Sequence, residues 1–101
     1  MSAVNMATVL MQLAKAPLKA DLMRADGRRL GQEKKLVNAR FANDRLVADD
    51  VTFFALPARV SALVILLDGQ ELATITGIID ASASPVGGDL LVPLSGGFLS
   101  A

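Results

Sequence analysis

Val60–Gly69 reads VSALVILLDG, and Leu72–Ile79 just beyond it reads LATITGII. The reading of these two segments decides the fold. Val60–Leu67 is the longest strongly apolar run of the chain, yet a helix needs roughly 20 such residues to cross a bilayer. Asp68, Gln70 and Glu71 stop it from joining the next run. A short apolar run bounded by a turn signal fits a strand. With a period of two, Val60, Ala62, Val64 and Leu66 point one way and Leu63, Ile65 and Leu67 the other. Both sets are apolar, which predicts a central strand covered on both faces. Asp68-Gly69 supplies the positive φ angles of a two-residue hairpin. Leu72–Ile79 is rich in β-branched Thr74, Ile75, Thr76, Ile78 and Ile79, and is expected to pair back.

Outward from this hairpin the pattern is strands broken by tight turns. Leu18–Ala25 runs into Asp26-Gly27, and Lys35–Ala42 into Asn43-Asp44, a weaker hairpin signal. Between them Gly31-Gln32-Glu33-Lys34 reads as a loose loop. In Lys35–Ala42, Val37, Ala39 and Phe41 alternate with Asn38 and Arg40, the pattern of a half-buried strand. Val51–Ala55 gives another, with Val51 and Phe53 on one face. Ser82–Asp89 is a turn-rich loop, followed by a short strand over Leu90–Leu94. Pro93 there lacks a backbone donor and suits an edge. Gly96-Gly97 turns the chain once more before Phe98-Leu99.

The first residues differ. Met6, Val9, Leu10 and Leu13 follow the i, i+3, i+4, i+7 rule of one helical stripe. Asn5 can cap that helix, and Pro17 ends it by restricting Ala16. The expected architecture is a short helix or arm over residues 1–17, then an antiparallel β domain over 18–101. The fold class is mainly β, with six or seven strands forming a sandwich or partial barrel.

Composition narrows the function. A chain of 101 residues buries about 60–68% of its unfolded surface, enough for one modest core. Hydrophobic residues make up 52% of it and aromatics 4%. Some of this aliphatic mass should therefore reach the surface and seek a partner. There is no histidine and no cysteine, so triads, thiol chemistry and the usual zinc ligands are excluded. The N-terminus does not read as a signal peptide. Asp49, Asp50 and Asp89 could meet around calcium, although Asp at a strand start or after a glycine turn more often bonds backbone. Arg24, Arg28, Arg29, Lys34, Lys35, Arg40 and Arg45 form a basic stretch, but without Trp or Tyr it lacks stacking platforms for nucleic acid. Residues 1–50 hold nine Lys/Arg against six Asp/Glu, and 51–101 hold Arg59 against four acids. That polarity could help copies meet head to tail.

From Val37 onward the chain resembles a family of small β proteins encoded among the head and tail genes of tailed bacteriophages. The features are VADDVTF (Val47–Phe53), VSALVILLDG (Val60–Gly69) and PVGGDLLVPLSGG (Pro85–Gly97). Family members often carry an aromatic after the Ala-Leu-Val and a Trp-Asp near the end, where this chain is aliphatic. The resemblance implies a non-catalytic virion structural protein, without metal, cofactor or small-molecule substrate, made in the host cytoplasm. Its partners would be the major capsid protein or other phage structural proteins, and copies of itself. The leading expectation is a capsid-bound minor, cement or decoration protein. A neck or tail position, or a small nucleic-acid- or ligand-binding module, are the alternatives. Apolar groups at chain ends fray unless tied down, so Met6, Val9, Leu10, Leu13, Phe98 and Leu99 are the expected protein-interface residues.

Overall fold

A computed structural model describes residues 18–79 and 86–100. Among them the strands are β1 (Leu18–Arg24), β2 (Lys34–Lys35), β3 (Arg40–Ala42), β4 (Arg45–Val47), β5 (Val51–Phe53), β6 (Val60–Leu67), β7 (Gln70–Ile75), β8 (Leu90–Val92) and β9 (Leu99–Ser100). Every pairing is antiparallel. The fold is mainly β, as the alternation predicts, and the expected helical stripe at Met6, Val9, Leu10 and Leu13 lies outside the described residues.

β6 is the central strand. It sits between β1 and β7 in a four-stranded sheet of order β2-β1-β6-β7. Two smaller units, β3-β4-β9 and β5-β8, hold the other described strands. One core joins all three: Leu18 and Leu22 of β1, Leu63 and Ile65 of β6, Leu46 of β4 and Phe53 of β5 belong to one buried cluster. The inner face of the large sheet thus packs against the two small ones. Ala62, Val64 and Leu66, on the other face of β6, are buried as well.

The alternation along β6 holds except at its start. Met23 pairs with Ala62 but Arg24 with Val60, so Ser61 is an extra residue in the ladder. A bulge of this kind reverses the facing of what precedes it. Val60 therefore joins the cluster of Leu63 and Ile65, not the face of Ala62 and Val64 that simple alternation gives it.

Turn chemistry follows the sequence closely. Asp68 (φ 52) and Gly69 (φ 78) link β6 to β7, and Asn43 (φ 53) and Asp44 (φ 62) link β3 to β4. Both are two-residue turns with positive φ at both central positions, which suits the twist of the flanking strands. Lys35–Ala42 is not one strand. Asn38 adopts φ 58 and breaks it into β2 and β3, leaving Val37 57% exposed rather than inward. β7 ends at Ile75, and Ile78 and Ile79 pack against the core from beyond it.

Ile65 is fully buried at the centre of this arrangement. Ile65→Ala should lower stability by about 2–5 kcal/mol. Ile65→Asp, which strands a carboxylate in an apolar core, should abolish cooperative unfolding in urea. A folded Ile65→Asp protein would show that this face is not core.

Candidate functional surface

The one buried charged residue among those described is Asp21, 0% exposed. It lies on β1 opposite Val64, on the face away from Leu18, Ala20 and Leu22. A carboxylate there must be fully hydrogen-bonded to persist, and it is. Oδ1 accepts from the backbone N–H of Leu22 (2.7 Å) and Gln32 (3.1 Å). Oδ2 accepts from the Gly31 N–H (3.0 Å) and from Arg29 Nε (3.1 Å). Arg29 Nη2 in turn donates to Glu33 at 2.9 Å. The segment expected to be a loose loop is therefore pinned to β1 by a buried charge.

That pin positions a surface feature. The Gln32 side chain reaches across to Phe54, donating from Nε2 to the Phe54 carbonyl (2.9 Å) and accepting the Phe54 N–H at Oε1 (2.8 Å). A side-chain amide here makes both bonds that a neighbouring strand would make. The next residue, Ala55, has φ 48, and its N–H donates to Asp89 Oδ1 at 2.9 Å. Leu56 and the 87–88 turn are joined by two backbone bonds, Leu56 N–H to Gly88 O and Gly87 N–H to Leu56 O. The Phe54 backbone is thus clasped from both sides while the residue stays 53% exposed. Lys34 Nζ lies 4.9 Å from the ring centroid, within cation–π range.

The other large exposed apolar side chains gather nearby. Leu91, 59% exposed, is paired with Thr52 across the β5–β8 ribbon. Phe53, Leu90 and Val92 of the same ribbon point into the core, so Leu91 is on its outer face. Val86 flanks the 87–88 turn, and the Val37 carbonyl accepts the Asp49 N–H just before β5. All four exposed large apolar residues among those described lie on or beside this ribbon.

Two of the expected interface residues lie away from this ribbon surface. Phe98 and Leu99 are 7% and 8% exposed and belong to the core. Leu99 pairs with Leu46 in the β4–β9 ladder, and the Phe98 N–H donates to Leu46 O. The Gly97 turn folds Phe98 and Leu99 back onto β4, so they do not project as a tip. Met6, Val9, Leu10 and Leu13 lie outside the described residues.

The three aspartates weighed for calcium have separate partners. Asp49 accepts from Asn38 Nδ2, Asp50 from the N–H groups of Leu94 and Ser95, and Asp89 from Ala55. Among the described residues no group of three or more acids gathers as a metal site. The basic stretch is partly spent on internal pairs, Arg29 with Asp21 and Glu33, and Arg24 with Asp26. Sequence reasoning missed Asp21, Gln32 and Phe54. The chain matches no protein-family model, no curated protein and no solved structure.

Two predictions follow from these anchors. Asp21→Ala strands three backbone N–H groups and the Arg29 guanidinium, and should cost about 3–5 kcal/mol in urea unfolding. Asp21→Asn, which keeps an acceptor, should cost less. Asp50 is the second test. The N–H groups of Ser95 and then Leu94 hold its carboxyl below the ordinary 3.8. Its contribution is then full above that value and lost as pH falls through the lowered one. The gap in urea midpoint between wild type and Asp50→Ala should be open near ~pH 7 and close in acid.

Proposed function

We propose that this chain is a non-enzymatic structural protein of a bacteriophage particle, bound to the capsid as a minor, cement or decoration protein. The observation that carries the reading is the clasped, exposed Phe54 with Leu91 on one ribbon. Aromatic residues held rigid at the surface lose little entropy on binding and dominate protein–protein contacts. A chain without histidine or cysteine that displays such a surface is suited to holding a neighbour in place. The likeness of the Val47–Phe53, Val60–Gly69 and Pro85–Gly97 segments to phage head and tail proteins supports placing that neighbour in a virion. On this reading the contact lies on the β5–β8 ribbon, with Phe98 and Leu99 serving the core.

Mass spectrometry of purified particles tests the assignment. A copy number on the order of hundreds is expected for a protein that follows the capsid lattice. About six to twelve copies would point to the neck instead, and absence from the particle would overturn the proposal. A folded Phe54→Asp variant should fail to join the particle.

A further inference from the structure

β6 has two buried faces, and the described strands account for one of them. The cluster around Leu63 and Ile65 takes in Leu46 and Leu99 from one smaller unit and Phe53, Leu90 and Val92 from the other. Both units therefore lie on the inner side of the large sheet. The opposite face of β6 presents Ala62, Val64 and Leu66, which are 2%, 0% and 2% exposed and stand outside that cluster. Beside them on β1, Met23 is half-buried opposite Ala62, and Lys19 is exposed opposite Leu66. The described groups that bind on this face are polar. Arg29 and the N–H groups of Gly31 and Gln32 hold Asp21, and Glu33 bridges Arg29 at 2.9 Å and Lys19 at 3.9 Å. On the β7 side Thr74, opposite Val64, is exposed. An apolar strip with polar margins thus runs along the middle of the outer face.

An antiparallel sheet can leave such a face to water, yet this strip is closed within a single copy of the chain. The cover must come from the chain itself. Outside the described residues lie 1–17, 80–85 and 101. Residues 80–85 read DASASP, with no leucine, valine, isoleucine, methionine or aromatic, and 101 is an alanine. Residues 1–17 carry the stripe of Met6, Val9, Leu10 and Leu13. They join the sheet at Leu18, which pairs with Leu67, and so arrive at the Leu66 end of the strip. The lengths agree as well. From Met6 to Leu13 a helix spans about 10 Å, and from Ala62 to Leu66 a strand spans about 13 Å. Ala14–Pro17 can bridge up to about 14 Å between the two.

We propose that residues 1–17 lie across the outer face of the large sheet, with the stripe of Met6, Val9, Leu10 and Leu13 packed on Ala62, Val64 and Leu66 of the same copy. A helix this short is marginal in water and draws its stability from such a surface. The cover also gives β6 a reason to be apolar on both faces. The inference goes beyond the virion reading and does not rest on it. It takes the stripe out of the surface offered to neighbours and leaves the β5–β8 ribbon as the contact.

The chain has no cysteine, so one introduced thiol reports one position. Ala62→Cys places it on the outer face, and Ala20→Cys, at a residue 0% exposed, on the inner face. Alkylation rates measured on the full-length chain read how often each face opens. Both thiols should be protected in the otherwise wild-type chain. Adding Leu10→Asp should speed reaction at position 62 at least about tenfold, the loss of one buried leucine, and leave position 20 unchanged. Thr8→Asp, off the stripe, should change neither. Where Leu10→Asp unfolds the chain, Leu10→Ala is read instead, with a gain of about threefold or more expected at position 62 alone. The proposal is overturned by a freely reactive thiol at position 62 in the wild-type background, by stripe substitutions without effect there, or by Leu10→Ala speeding both positions equally. Protection at position 62 that falls on dilution would assign the cover to a neighbouring copy and overturn it as well.

Discussion

The carboxylate of Asp21 is the constraint to which the upper part of the structure answers. A charge buried on β1 cannot leave its lone pairs empty, and the chain fills them with three backbone N–H groups and one guanidinium. The cost of this is visible in the sheet. Gly31 and Gln32 give their N–H groups to a side chain and not to a ladder partner. Regular pairing beside β1 is consequently reduced to Lys34 and Lys35, with an isolated bridge from Met23 to Arg29 further along. A longer, regular edge strand would be the cheaper local solution. What the irregular one provides is a fixed position for Gln32, and through its amide a fixed position for Phe54.

How far this was legible in the sequence depends on the range of the interaction. β6 and the Asp68-Gly69 and Asn43-Asp44 turns follow from local rules, because pleat alternation and positive φ are set by neighbouring residues. The pairing of β7 with β6 follows from the turn between them, although it stops at Ile75 and not at Ile79. Asp21 was hidden for the opposite reason. It alternates with Leu18, Ala20 and Leu22 as a solvent-facing residue would, and three of its four partners lie eight to eleven residues away. The Ser61 bulge leaves no mark in an apolar run whose two faces look alike. Val37 was misplaced because one asparagine, with φ 58, turns a continuous period-two pattern into two short strands.

Phe98 and Leu99 illustrate the same limit at the chain end. Proximity to a terminus suggests exposure, but burial depends on which strand edge is vacant. β4 offers one, and its Leu46 takes both the Phe98 N–H and the pairing with Leu99. Asp50 secures the turn that makes this return feasible by accepting the N–H groups of Leu94 and Ser95. Two aspartates distant in sequence thus do related work, each replacing a missing strand partner with a carboxylate.

The residue after Phe54 shows where local preference gives way. Of the described non-glycine residues at positive φ, four are Asn or Asp, which tolerate that region, and the fifth is Ala55. An alanine there costs roughly 1–2 kcal/mol, and a glycine would remove the penalty. The conformation is held by its surroundings: Asp89 takes the Ala55 N–H, Gln32 brackets Phe54, and Leu56 is tied to the 87–88 turn. Three independent anchors converge on one strained peptide whose effect is to turn an aromatic ring outward beside a lysine. Strain kept in place by so many contacts tends to mark the part of a fold shaped by what it meets. Here that part is the edge where the clasped Phe54, the cation of Lys34 and the end of the large sheet come together.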